Sequence, residues 1–421
     1  MKNVYTAESI HEIQNIIQET QPRSSLLLKI RYFFIRSKII FLNIILSVLE
    51  FFLFKQGVPK QDEIKTIVVY SVGILGDNAV RLPAIFTLKK AYPASKIIVI
   101  NKYQNWNPKV PQQLFESVSY IDRVILVKDN PVQKKGISFI YDDEQTKDLE
   151  CDLFINLSPF GPRGWLGAVI REMLLAKKLK AKYAFGFKMY YLLGLKDIQN
   201  IKHLISNLNY PRLAEEILKK LHLSIDYTDQ VFSKNDEASK SVNLKLREIG
   251  VLDKYAILHP GGTLVCQRWP ASRYAEIAMF LDEQYGLKSI ITGVESEIEI
   301  ANEVVERSKG SAFSLAGKTS LLETIALIQK AQISISNDTG MLHLSSVQNI
   351  PTIGIFGSRD TPLWWFPIGE KKSVIIGFSK DSYRYLDGNI ITDLLSIETA
   401  DLKHLINKMH ADHIIKQPYR E

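Results

Sequence analysis

From residue 64 onward, short runs of aliphatic and β-branched residues alternate with stretches whose apolar positions recur every three or four residues. That is the pattern of a parallel sheet covered by helices on both faces. It predicts strands at 64–71, 96–101, 123–127 and 152–158, with a glycine-containing turn after the first and a helix running from that turn to Tyr92. A second series begins with a strand at 255–259. Tyr274, Ile277, Ala278, Leu281 and Tyr285 then keep helical spacing until Gly286 stops the helix. A strand at 288–292, a helix at 297–308, a capping box of Ser320 with Glu323, strands at 332–336 and 351–356 and a terminal helix at 397–415 complete it. Between the two series, residues 188–248 are helical and polar, punctuated by Asn207, Asn209 and Pro211, so a crossover between two α/β halves belongs there.

Upstream of the first strand lies a different pattern. Residues 39–54 are apolar except for Asn43, Ser47 and Glu50, whose spacing of four then three puts them on one helical stripe. Sixteen residues rise about 24 Å, short of a bilayer core, and Glu50 would be costly near its centre. The run also ends in Glu50 and Lys55 instead of small cleavage-site residues, so it reads as a retained interfacial helix and not a signal peptide. Charge sharpens this reading. Residues 23–60 carry seven basic side chains (Arg23, Lys29, Arg31, Arg36, Lys38, Lys55 and Lys60) against the single acid Glu50, a net +6 of the chain's +8. A basic-flanked amphipathic helix fits an anionic membrane surface. Packing on the protein's own core or in a dimer seam remains open. Nucleic acid fits poorly, because the cations accompany an aliphatic helix and not stacking aromatics.

The length of 421 residues suits two domains. The expected organisation is a membrane-associating segment at 1–60, α/β domains at 61–235 and 236–394, and a terminal helix and tail at 395–421. Cys151 and Cys266 stand far apart and in no metal-ligand spacing, which indicates neither a disulfide framework nor a zinc site.

In open α/β sheets ligands bind beyond the carboxyl ends of the strands, and four of the loops placed there carry suitable groups. The first, Gly73-Ile74-Leu75-Gly76-Asp77, is neither a dinucleotide fingerprint nor a Walker loop. Asp77 in it is either a helix cap or a base. The second, His259-Pro260-Gly261-Gly262-Thr263, leads through Gln267-Arg268-Trp269-Pro270 into a helix. Exposed N–H groups, the Thr263 hydroxyl and the Arg268 cation could hold a diphosphate without a metal. In the third, Gly293-Val294-Glu295-Ser296-Glu297, a carboxylate could accept from ribose hydroxyls, or simply begin a solvated helix. The fourth, Asn337-Asp338-Thr339-Gly340-Met341-Leu342-His343, gathers an acid, a hydroxyl, a free backbone and an imidazole at one helix start. His343 alone also reads as a satisfied buried histidine. A single Asp-Thr-Gly between strand and helix does not make an aspartic protease, which needs two such loops in a β-rich setting.

Taken in order, these loops resemble glycosyltransferase family 9, the ADP-heptose:lipopolysaccharide heptosyltransferases, over about residues 64–370. The likeness rests on Gly76-Asp77, Leu82-Pro83-Ala84-Ile85, Lys89-Lys90-Ala91-Tyr92-Pro93, His259-Pro260-Gly261-Gly262 and Arg268-Trp269-Pro270. It continues through Leu315-Ala316-Gly317-Lys318-Thr319-Ser320-Leu321, Asn337 to Leu344, Pro351-Thr352 and Phe356-Gly357. The resemblance implies a GT-B fold, two Rossmann-like domains facing a cleft, with the acceptor on the first and the nucleotide sugar on the second. It further implies an inverting, metal-independent transfer without a cofactor, with ADP-heptose as the donor substrate. Asp77 falls at the general-base position, and Gly73 and Gly76 shape the acceptor-side loop. Gly262, Thr263, Arg268, Glu297, Asp338, Thr339, Gly340 and His343 fall on the donor side. The acceptor would be a glycan or glycolipid, and the enzyme peripheral on the cytoplasmic face of the bacterial inner membrane. Two departures stand out: Gln267 occupies a position where members often carry lysine, and residues 1–60 are extra to the usual pattern. A nucleotide-sugar epimerase or hydrolase on the same scaffold, or a catalytically silent membrane scaffold, are the rival readings.

Overall fold

The computed structural model describes residues 4–9, 12, 26–102, 109–127, 146–158, 166–188, 212–252, 254–357, 365–377 and 392–412. The chain divides into two compact units, Ile17–Asp226 and Met1–Ile16 with Tyr227–Glu421. Strand β1 (Val4–Ala7) belongs to the latter, and helix α1 (Leu26–Leu53) opens the former.

In the Ile17–Asp226 unit, β2 (Thr66–Tyr70) is followed by α2 (Leu75–Ala79), α3 (Leu82–Ala91), β3 (Lys96–Lys102), α4 (Lys109–Glu116), β4 (Arg123–Val127), β5 (Leu153–Asn156), α5 (Leu166–Lys178), β6 (Tyr183–Phe185) and α6 (Leu213–Leu218). The five strands are parallel in the order β4-β3-β2-β5-β6. Counted within the unit this is 3-2-1-4-5, the Rossmann order, and the direction of winding reverses between β2 and β5. Ile67, Val68 and Val69 are fully buried, as expected of a central parallel strand covered on both faces.

The other unit runs α7 (Asp236–Glu248), β7 (Tyr255–His259), α8 (Ala271–Tyr285), β8 (Lys288–Ile291), α9 (Ile298–Arg307), β9 (Ala312–Ser314), α10 (Leu321–Lys330), β10 (Ile333–Asn337), α11 (Gly340–Ser346), β11 (Thr352–Gly357), β12 (Lys372–Gly377) and α12 (Thr399–Ala411). Its sheet has the order β1-β12-β11-β10-β7-β8-β9, parallel except where β1 pairs antiparallel with β12, Val4 opposite Gly377 and Ala7 opposite Val374. From β9 to β12 the winding is 3-2-1-4-5-6, with its reversal between β7 and β10. Both predicted α/β halves are therefore present.

Three expectations require correction. Residues 1–60 are not one appendage: β1 completes the edge of the second sheet, where its backbone groups find partners on β12. Residues 395–421 are not a separate piece either, because Leu402, Leu405, Ile406 and Met409 of α12 are buried in the core of the same unit as β7 and α8. The helix expected at 39–54 is longer, and one side of it packs on the protein. α1 starts earlier, at Leu26, and of its polar stripe Glu50 meets the protein while Ser47 is exposed. Leu46 is 1% exposed, Leu42, Leu49 and Leu53 pack on the same cluster, and Glu50 accepts a hydrogen bond from Lys220 at 3.1 Å. Phe54, just past the helix, stacks on Phe187 with ring centres 5.9 Å apart. The Lys55 N–H donates to the Lys182 carbonyl at 2.8 Å. The boundary between units falls at Asp226 and Tyr227, close to the expected crossover at 235; of that crossover, residues 189–211 lie outside the described residues.

Candidate active site

The first candidate loop leaves the carboxyl end of β2, at the reversal point of its sheet. Leu157 N–H donates to Tyr70 O at 2.9 Å and Val72 N–H to Ser158 Oγ at 2.5 Å, which tie the ends of β2 and β5 together. The chain then turns at Gly73, and a glycine is needed there because a Cβ would stand 2.3 Å from the Cβ of Asp77. Ile74 N–H donates to Asp77 Oδ2 at 2.7 Å, so the capping role of Asp77 is real. It uses one carboxylate oxygen only. Fully buried Asn78 braces the turn from behind, its Nδ2 donating to the carbonyls of Gly73 and Ile74 at 2.8 and 2.9 Å. Gly76, inside α2, is also buried.

Burial raises the proton affinity of Asp77 above the ordinary carboxylate value, against the opposing pull of Arg81 and of the Ile74 N–H. Arg81 lies one turn on and donates through Nη1 to Val72 O at 2.7 Å and Ser71 Oγ at 3.1 Å. Asp77 thus keeps a cation beside it and a proton affinity raised above that of an ordinary carboxylate.

In the second unit, the loops after β7 and β10 meet at the other reversal point. Asn337, the last residue of β10, joins them. Its Nδ2 donates to the carbonyls of Pro260 and Gly261, both at 2.9 Å, and its Oδ1 accepts from Tyr274 Oη at 3.0 Å and Trp269 N–H at 3.2 Å. Arg268 donates through Nε and Nη2 to Gly262 O at 2.9 and 2.7 Å, leaving guanidinium donors to spare. Thr263 is exposed at the tip.

Glu297 is nearly buried behind this loop. Its Oε1 accepts from Gly262 N–H at 2.8 Å and its Oε2 from Val294 N–H at 2.9 Å. That approach is possible only over a glycine, since a Cβ on Gly261 would lie 2.2 Å from Glu297 Oε1. The carboxylate expected to meet ribose is thus already engaged with backbone. Thr339 caps α11, its Oγ1 accepting from Met341 N–H at 3.3 Å. Asp338 and Gly340 are partly exposed on the same turn. His343 Nε2 stands 3.9 Å from Asp338 Oδ1, and the imidazole ring lies 5.7 Å from that of Trp365. Burial holds His343 down to about 4, so the ring is neutral at neutral pH, and its Nδ1 has no hydrogen-bond partner among the described residues.

Gly73, Gly76 and Asp77 thus form one cluster, and Gly262, Thr263, Arg268, Glu297, Asp338, Thr339, Gly340 and His343 another, each within its own unit. Sequence reasoning missed Arg81, legible as an i,i+4 partner of Asp77. It missed Asn337 as the tie between loops, which no spacing reveals. It also missed Asn101, near the end of β3, which is fully buried with both amide atoms unpaired among the described residues.

Residues 180–384 match the family model described as glycosyltransferase family 9 (heptosyltransferase). Lipopolysaccharide heptosyltransferase 3 of Escherichia coli is 24% identical over 308 residues, covering 69% of this chain and 81% of that protein. Lipooligosaccharide heptosyltransferase 2 of Haemophilus influenzae is 23% identical over 274 residues, covering 59% and 76%. A solved glycosyl transferase family 9 structure from Veillonella parvula aligns with TM-score 0.59 and 22% identity over 82% of this chain and 96% of that one. The structure of E. coli ADP-heptose LPS heptosyltransferase II aligns with TM-score 0.56 and 17% identity over 83% and 99%. The structural likenesses assign the fold, mixed α/β with parallel sheets.

Proposed function

We propose that this chain, a family 9-like glycosyltransferase of the heptosyltransferase type, moves heptose from ADP-heptose to a hydroxyl of a lipopolysaccharide core or related cell-surface glycolipid, with inversion and without a divalent metal. The acceptor binds at the reversal point of the Ile17–Asp226 unit and the donor at the reversal point of the other. The observation that carries the reading is Asp77, a half-buried carboxylate at a reversal point with one oxygen bound to backbone and its proton affinity raised. Its other oxygen takes the proton from the acceptor hydroxyl. That hydroxyl oxygen attacks the anomeric carbon from the face opposite the diphosphate, and the bond to the leaving phosphate oxygen breaks. Negative charge growing on the ADP is met by Arg268, by the Thr263 hydroxyl and by the N–H groups of the Asp338–Gly340 turn, donors already fixed before reaction. Glu297 acts on this charge indirectly, by holding the Gly261–Gly262 turn in shape. Neutral His343 lines the donor side without adding a charge. The enzyme works peripherally at the cytoplasmic face of the inner membrane, where such an acceptor is made.

The test is product analysis. The full chain is incubated with ADP-heptose and a lipid-linked acceptor, with and without EDTA, and the anomeric configuration of the product is read by NMR. An inverted product formed equally in chelator supports the reading. A retained configuration, release of free heptose alone, or turnover that EDTA abolishes and magnesium restores, overturns it.

A further inference from the structure

Glycosyl transfer leaves the outward side of α1 unexplained. Residues 40, 41, 44, 45, 47, 48, 51 and 52 form two adjacent rows along it, and all except Ser47 are Ile, Phe or Val. Phe41, Phe51 and Phe52 are 62%, 60% and 78% exposed. A helix with one face on a core ordinarily turns polar residues outward. Here Glu50 is on the core side and the outward side is mostly hydrocarbon, with Asn43 and Ser47 at its edge. The Glu50–Lys220 pair, buried Leu46 and the Phe54–Phe187 stack fix the roll of the helix, so these rows cannot rotate inward. Ile40, Ile44, Val48, Phe51 and Phe52 line an open groove together with Lys188.

Charge says what covers this side. α1 carries Lys29, Arg31, Arg36 and Lys38 in its first half, Lys55 follows it, and its only acid, Glu50, is already paired with Lys220. Lys38, Lys55 and Lys188 are exposed. Pairing with a second copy would bring two sets of like charges together, whereas an anionic surface neutralises them. At 28 residues α1 is about 42 Å long, yet no described helix is long and apolar enough to cross a membrane. We infer that α1 lies flat in the headgroup region of an anionic bilayer, its two apolar rows among the acyl chains and its cations at lipid phosphates, with the Glu50–Lys220 pair as the lock that keeps this face outward. The inference rests on the reading that the acceptor is membrane-borne, and it assigns the seat to one side of one helix.

The experiment uses the full chain with phosphatidylcholine vesicles, with or without phosphatidylglycerol. Sedimentation should require phosphatidylglycerol and weaken at high salt. The double variant Phe51→Ser/Phe52→Ser should bind about tenfold or more weakly while melting like the parent, because both side chains are already exposed. In Phe52→Trp, bromine-labelled acyl chains should quench the added indole fluorescence. Binding to neither vesicle, no quenching by brominated lipid, or a dimer that the double variant dissociates, would each overturn the assignment, the last by showing a subunit interface. ADP-heptose binding is followed in the same samples. Its loss with vesicle binding intact counts against the glycosyltransferase reading alone, and the reverse against the membrane seat alone.

Discussion

At the scale of single residues, Asp77 caps a turn and is the proposed base, and the two roles respond differently to one substitution. Asparagine keeps an oxygen for the Ile74 N–H and removes the base. Asp77→Asn should lower kcat by at least about 100-fold while nucleotide binding by calorimetry persists. Because burial raises the Asp77 pKa, its contribution to stability is fully present only below the ordinary carboxylate range and is lost as pH rises through the folded value. The asparagine variant should therefore melt no lower than the parent at neutral pH. A large fall in Tm with kcat retained would show the residue to be a cap alone. The same shift places the acid limb of kcat/KM above the ordinary carboxylate range in a pH–rate profile. Gly261→Ala tests the other unit: its methyl would collide with Glu297, costing about 1–3 kcal/mol by denaturant melts and raising the KM for the donor more than it lowers kcat. Asp77, Arg268 and the Asp338–His343 loop were legible because reactive side chains follow apolar runs where a parallel sheet presents its ligands. Glu297 was legible as a residue, though not in its role. Only the folded loop shows that its oxygens face backbone N–H groups.

At the scale of elements, what could be read depended on how completely a strand is covered. β2, β3 and β7 are central, and their apolar runs stand out. β6 and β9 have three residues each and β1 has four, too few for a pattern to emerge, and β12 falls outside the assigned runs although Val374, Ile375 and Ile376 are fully buried. α1 misled for a different reason. Periodicity finds the stripe that differs from the rest, and on a helix that is apolar almost all round it cannot say whether that stripe meets water or an ion-pair partner such as Lys220. Two substitutions separate its sides. Leu46→Ala should destabilise the protein by about 2–5 kcal/mol in urea titration, while Phe41→Ser should shift stability by no more than about 0.5 kcal/mol. Equal effects would mean that the roll of α1 is misassigned.

At the scale of the molecule, two α/β halves were evident from alternation alone, but the membership of the chain's first residues was not, because a strand's partner can lie anywhere in the sequence. Removing residues 1–60 would take away both the edge strand of one unit and the Leu46 anchor of the other. The truncated chain should lose cooperative melting, whereas removal of residues 1–9 alone should lower the Tm of the second unit and spare the first. Calorimetry resolving two transitions would check this; an unchanged upper and lower transition would show β1 to be dispensable. The pairing of Val4 with Gly377 also has a temporal side. At about 5–20 residues per second, the β12 segment leaves the ribosome on the order of 20–70 s after β1. During translation β1 therefore waits without its mate, and the half expected to hold the nucleotide closes its sheet only after β12 has emerged.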